Sequence, residues 1–365
     1  MQERALVSNA GIEVISPAPR VCWGEAVAAD DSALLSHTPE WLDIICAVDG
    51  WTDASRLYLW PSGRHVVLPM VRKVFGGVAA VEECLPRGWG FGGLIASGGA
   101  TLEETVAVVR DLSRRRLLRQ HVCPSPLQGR SWQQAVGSAA AAVPTVTRRA
   151  HAVNLSGGIA NAWRAFPENA RRGVRKAERQ GVEIEYDGTG RLLHVFEELW
   201  LDSVKRWARQ DGYPAWLSRW RERRRNPQSR WRQIARRTEG GVAIWVARHR
   251  GEPAAAIVVL RGRNDHYTRG AMNKQIAGPT RANFLLHWLA IQDACSRAAQ
   301  WYQMGQSGRD GCPVARFKEN FGAKAYDFPE VQMETLPIAA AANSARAILR
   351  RVIGKNEQRP INAPP

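Results

Sequence analysis

Nowhere in the 365 residues do about eighteen apolar residues follow one another, the length a membrane-crossing helix needs. Cysteine is sparse and scattered. Cys22, Cys46, Cys84, Cys123, Cys295 and Cys312 form no Cys-x-x-Cys pair, and no His/Cys cluster has zinc spacing. That argues against a zinc ribbon or a disulfide framework and leaves reduced, incidental thiols, with no metal expected. No Walker phosphate loop, Ser-His-Asp order or paired-carboxylate signal is present. Residues 1–15 carry Glu3 and Glu13 and lack a continuous apolar region, so no signal peptide is expected and the cytoplasm is the expected location. Acidic residues are short relative to basic ones, 34 against 51, for a net charge of +17. The shortage is local. Residues 1–150 hold 15 Lys/Arg against 14 Asp/Glu, and residues 151–365 hold 36 against 20. A half so basic implies a polyanionic partner: RNA, a nucleotide-linked substrate, coenzyme A or an anionic membrane surface.

Apolar residues make up 45% of the chain, enough for a real core, and its length favours two domains. Thr38-Pro39-Glu40-Trp41 reads as a capped helix start. Two strands, 55–60 and 64–74, flank a Pro-Ser-Gly turn. Gly88 to Gly93 is a Gly/aromatic loop. Thr101 to Leu118 is a helix with acids first and arginines last. In the second half a strand at 151–155 precedes helices at 159–166 and 167–180, the latter ended by Gly181. A strand at 182–186, a helix at 192–209 and a helical run at 217–238 broken at Asn226-Pro227 follow. Three strands (242–248, 253–260, 265–271), a helix at 280–299 and strands at 300–304 and 328–333 complete the pattern, with an Ala-rich helical tail at 336–365. The order predicts an α/β (α+β) chain with mixed, largely antiparallel sheets flanked by helices, built as two similar units side by side.

Four segments are candidates for chemistry. On the helix ending at Gly181, Arg171 and Arg175 lie four apart, as do Arg172 and Lys176, a strip able to hold phosphates. Nine arginines fall between Arg219 and Arg237, interleaved with Trp220 and Trp231. That mixture suits RNA contact through Arg219, Trp220, Arg223, Arg224, Arg225 and Arg230, and suits a solvated face equally well. Tyr267 sits on a strand, and His287 on an amphipathic helix, where it reads as a surface or packing histidine and not as a catalyst. In Phe317-Lys318-Glu319-Asn320-Phe321-Gly322, a short helix that turns Phe317 and Phe321 inward points Lys318 elsewhere.

Taken in order, these segments resemble the FemAB-like group of the acetyltransferase (GNAT) superfamily over roughly residues 35–335. The matches are Leu155-Ser156-Gly157, the Arg171–Lys176 helix ending in Gly181-Val182, Tyr267 to Ala271, Leu285-Leu286-His287-Trp288, and Phe317 to Gly322. Thr38 to Trp41, Leu68-Pro69 and Gly92-Gly93 fit in the first half. The resemblance implies tandem GNAT-like domains, 1–148 and 149–335, before the tail. It implies amide-bond formation by transfer of an aminoacyl group from aminoacyl-tRNA to a peptidyl or nucleotide-linked amine, such as a cell-wall precursor. No tightly bound cofactor is implied. Acyl-coenzyme A as donor to a small amine and a non-catalytic RNA-binding role are the alternatives, and peripheral membrane contact is compatible with either. Lys318 takes the role of stabilising the transferring carbonyl or a donor phosphate, with Tyr267 as proton donor or positioner. Arg171, Arg172, Arg175, Lys176, Phe317 and Gln303 are the substrate-binding candidates. Gln303 stands where relatives often carry aspartate. No Arg/Gln-x-x-Gly-x-Gly/Ala pyrophosphate loop is evident.

Overall fold

The computed structural model describes residues 3–4, 11–77, 79–115, 117–139, 143–210, 212–225, 227–308 and 311–334. The helical tail expected at 336–365 lies outside them. The first half runs through β1 (Glu3–Arg4), β2 (Glu13–Ser16), α1 (Arg20–Ala29), α2 (Pro39–Asp49), β3 (Thr52–Asp53), β4 (Arg56–Leu59), β5 (His65–Leu68), β6 (Val71–Phe75) and β7 (Ala79–Cys84). It continues with α3 (Leu102–Arg114), β8 (Arg119–Val122) and α4 (Gly129–Gly137). The second half holds β9 (Thr145–Asn154), α5 (Gly158–Ala165), α6 (Glu168–Arg179), β10 (Val182–Asp187), α7 (Leu193–Gln210), α8 (Ala215–Arg225) and α9 (Gln228–Arg237). Then come β11 (Val242–His249), β12 (Glu252–Leu260), β13 (Asp265–Met272), α10 (Lys274–Thr280), α11 (Ala282–Ser296), β14 (Trp301–Ser307), α12 (Pro313–Glu319) and β15 (Lys324–Glu334).

Local chemistry explains several helix ends. Thr38 Oγ1 accepts from the Trp41 amide at 3.3 Å, with Pro39 opening α2 and Gly50 closing it in the left-handed region. Thr101 and Glu104 exchange bonds in a capping box at the start of α3. Gly181, at φ +68°, ends the turn after α6. Pro227 stands just before α9 at the expected break.

The run 64–74, expected as one strand, is two. It breaks at Pro69, which has no amide to donate to a ladder. β5 pairs with β4 in a four-stranded sheet, β1-β2-β4-β5, whereas β6 pairs with β7 in a sheet of eleven strands.

That large sheet has the order β10-β11-β12-β13-β14-β9-β15-β8-β7-β6-β3. Among the described strands all its pairs are antiparallel except β7·β8 and β13·β14. Each parallel pair is bridged by helices, α3 in the first half and α10–α11 in the second, as a parallel crossover demands. The two halves therefore repeat one motif. They also exchange strands: β9, which follows α4, pairs with β14, and β15, which follows α12, pairs with β8. β9 and β15 close the seam with eight residue pairs. Separating the halves would break these ladders and bare their amides.

Both faces of β11 and β12 are covered, which is why Ala254 to Leu260 reads as an unbroken apolar run. Ile244, Val246 and Val258 pack with α1, α2, α7 and α9 residues such as Trp23, Trp41, Phe196 and Trp231. Ala243, Ile257 and Val259 face α5, α6 and α11 through Phe166, Val174 and Leu286.

Candidate active site

The two parallel pairs differ in one respect. β7 and β8 stay paired from Val81↔Arg119 to Cys84↔Val122. β13 and β14 pair only at Asp265↔Tyr302 and His266↔Gln303, and then part although both strands run on. The opening is held by an irregularity on each side. β12 and β13 shift register at Val258/Val259, and β14 shifts against β9 between Gln303 and Gln306. Within that second bulge Gly305 adopts φ +71°, a conformation that disfavours any side chain.

The bulge turns the Gly305 and Gln306 carbonyls toward α12. Lys318 Nζ donates to both, at 2.9 and 2.6 Å, and the residue is only 1% exposed. This corrects the expectation that Lys318 points away from the interior. It is as enclosed as Phe321, because two bulge carbonyls satisfy an ammonium that apolar surroundings would reject. Burial pushes the Lys318 pKa down to about 7. The unfolded chain keeps that proton to about 10.5, so the native state binds fewer protons in between, and stability through this group rises with pH across that window.

Neutral rings surround the amine. Burial, then Lys318, pushes His266 and His287 to about 3 and lowers His151. His287 packs edge-on to Tyr267 at 4.6 Å, touches Phe317 and Phe321, and faces the Tyr302 hydroxyl across 3.4 Å. It is a packing histidine, as its place on an apolar helix suggested. Burial raises the Tyr267 phenol above its usual range, so it remains a donor. Gly270 is required beside it, since a Cβ there would collide with Tyr267 Oη.

Gln303 joins the opening to the first half. Its Nε2 donates to Ser125 Oγ at 3.2 Å, and its buried Oε1 has no partner among the described residues. His266 stacks on Phe91 of the Gly/aromatic loop at 5.0 Å, and its Nδ1 likewise lacks a partner there. His37 donates through Nε2 to the Gly92 carbonyl, Nδ1 being engaged by the Leu34 amide. A polar seam with unmet acceptors thus reaches the point where β13 and β14 part. Sequence reasoning missed His266 and Ser125. His266 stands next to Tyr267 in the chain, but nothing local signalled that it would face Phe91.

Lys318 thus reaches the opening through the bulge carbonyls and Gln303 through its pairing with His266, whereas Tyr267 and Phe317 pack against His287 on the α11 side of the sheet. The α6 strip lies one layer out, where Gly173 lets α6 approach Phe284 of α11 closely. Arg171 is held by Glu168 at 2.9 Å, and Arg175 lies 3.8 Å from the same carboxylate. Among the described residues, no ion pair engages Arg172 or Lys176. The arginine-rich segment is not one surface. Arg219, Trp220, Arg223 and Arg224 are exposed on α8. Arg230, expected with them, is instead internal: it pairs with Asp49 at 2.8 Å and lies over the Trp89 ring, tying α9 to the first half. The Arg225 side chain lies outside the described residues.

Replacing Gly305 by valine tests the bulge. Forcing a β-branched residue into this conformation costs about 1–2 kcal/mol or shifts the carbonyls. Turnover is expected to fall about tenfold or more with a much smaller change in KM, measured by steady-state kinetics.

Residues 164–319 match the acetyltransferase (GNAT) domain family. Among solved structures, FemX superposes with a TM-score of 0.61 at 11% identity, covering 93% of this chain and 99% of FemX. The C-terminal domain of a putative lysylphosphatidylglycerol synthetase from Agrobacterium fabrum gives 0.44 at 11% identity, over 90% of this chain and 96% of that one. A tandem GNAT protein from the clavulanic acid biosynthesis pathway gives 0.35 at 13%, over 80% and 92%. No curated protein sequence matches the chain. Residues 164–319 thus carry a match to the acetyltransferase (GNAT) domain, and the chain as a whole takes the fold of FemX.

Proposed function

We propose that the protein transfers an aminoacyl group from aminoacyl-tRNA to the amino group of a peptidyl or nucleotide-linked acceptor, with Lys318 as the oxyanion-stabilising residue. The observation that carries this is the Lys318 ammonium, enclosed on two backbone carbonyls where β13 and β14 separate. An ammonium has three donors and two are committed, so one is left for an oxygen in the opening. The acceptor nitrogen bonds to the acyl carbon, and charge collects on the carbonyl oxygen beside Lys318. The ester C–O bond then breaks, and the proton lost by nitrogen ends on the leaving ribose oxygen. Tyr267, kept protonated by burial, is the candidate donor for that oxygen. Gln303 Oε1, buried without a partner among the described residues, is the candidate to accept from the incoming amine.

The charge of the second half supports a tRNA donor. So does the turn from β13 into α11. The Gln275, Ile276 and Ala277 amides are already taken by Asn273, and Pro279 has none, which leaves few donors for the pyrophosphate of coenzyme A. The GNAT match favours acyl-coenzyme A as the second reading. A donor comparison decides: charged tRNA and acyl-coenzyme A are offered with an amine acceptor, and binding is followed across a salt series. Salt-steep binding of charged tRNA with amide formation is the expected result. Product only from acyl-coenzyme A would transfer the protein to the second reading.

The pH dependence follows from Lys318. Its charged form is the useful one, so turnover through this group falls as pH rises past about 7. Deprotonation of the acceptor amine drives turnover the other way, giving a profile with a maximum. In Lys318→Met the descending limb should vanish; a limb that persists near the same pH belongs to another group.

A further inference from the structure

The most exposed large apolar side chains of the second half sit together on α8. Trp216 is 71% exposed and Trp220, one turn on, is 51%. Arg219 and Arg223, one turn apart, occupy neighbouring exposed positions, and the Arg224 guanidinium lies 4.9 Å over the Trp220 ring. The opposite side of the helix is fixed. It packs on α7, and Glu222 accepts from Trp200 Nε1 at 3.0 Å and from Arg269 at 3.4 Å. The one acid of α8 is thus turned inward, and the outer stripe is tryptophan and arginine.

We infer that this α8 stripe docks the protein on an anionic membrane surface. Two neighbouring indoles held out in water are costly, and their cost is relieved at the headgroup level of a bilayer, where amphipathic rings are favoured. The arginines then meet lipid phosphates, each contributing about 1 kcal/mol near an anionic surface. A folded RNA suits the stripe less well. Its helical arms offer phosphates to arginine but keep their bases stacked, so the indoles find no partner. The unpaired 3′ end of a charged tRNA has to enter the opening between β13 and β14 instead. The inference stands on α8 alone and is independent of the donor.

The test is co-sedimentation of the full chain with phosphatidylcholine vesicles, pure or containing about one third phosphatidylglycerol, alongside Trp216→Ser/Trp220→Ser and Arg219→Gln/Arg223→Gln. Capture by the anionic vesicles only is expected, weakened at least about tenfold in each double variant. Brominated lipid should quench the wild-type fluorescence more than that of the tryptophan variant. No capture, or capture unchanged by both variants, overturns the inference. If vesicles fail to bind while deacylated tRNA binds and is released by the tryptophan exchange, the stripe belongs to RNA and the membrane reading is wrong. An unchanged urea midpoint in both variants excludes misfolding as the cause.

Discussion

Exchange of Lys318 for methionine is expected to lower kcat by about two to three orders of magnitude and to leave KM within a few-fold. The asymmetry follows from where the amine acts. Its ground-state partners are the Gly305 and Gln306 carbonyls, which no substrate needs to displace. In the proposed reaction, the negative charge that it would meet exists only once the acceptor has attacked. Methionine is close in length and volume, so the aromatic surround of Phe317, Phe321 and His287 keeps its packing. The two bulge carbonyls lose a donor, a cost of about 1–3 kcal/mol each if no water replaces it, offset by no longer burying an ionisable group. A near-normal urea midpoint with collapsed turnover would mark Lys318 as catalytic. Unchanged turnover would remove it from the reaction. Arginine is a poor replacement, because its broader planar group does not fit a site enclosed on all sides.

The second large effect is on stability and lies in the first half. Glu82 is fully buried on β7 and pairs with three arginines: Arg56 at 2.7 Å, Arg72 at 2.7 Å and Arg115 at 3.1 Å. Arg56, itself 1% exposed, also reaches Asp111 at 3.1 Å, and Tyr58 donates to the same carboxylate at 2.8 Å. Burial of these ions is tolerable because each guanidinium meets a carboxylate, even though Arg56 Nε and Arg115 Nε have no partner among the described residues. Removing one carboxylate leaves guanidinium charge uncompensated in the interior. Glu82→Ala is therefore expected to cost about 3–5 kcal/mol, read as a fall in the urea midpoint. Exchanging both partners, Glu82→Leu with Arg56→Met, should recover part of that loss, since a packed apolar pair carries no unmet charge. A single exchange that leaves the midpoint in place would show the cluster to be solvated in solution.

The sequence by itself determined the elements whose ends are written locally. The Thr38 cap, the capping box at Thr101 and Glu104, the stop at Gly181 and the break before Pro227 each depend on side chains within about four residues. The hairpin of β11 and β12 was equally legible from its Gly251-Glu252 turn, whereas α11, expected to be amphipathic, is buried or half-buried on every side from Ala282 to Cys295. The Phe-Lys segment could be singled out as a candidate for chemistry.

Tertiary structure decided what that place is. Lys318 is enclosed on two carbonyls that face it where β14 bulges against β9 at Gly305. His266 and Gln303 gain their roles by meeting Phe91 and Ser125, about 175 residues away in the chain. Arg230 and Arg219 are indistinguishable as letters in one basic run. One closes an ion pair with Asp49, and the other faces water. β6 and β5 were read as one strand because their apolar residues are continuous, and only pairing assigns them to different sheets. Sequence distance carries the code for caps and faces, where the partner is a neighbour. Burial of a charge is set by groups that the fold delivers from elsewhere.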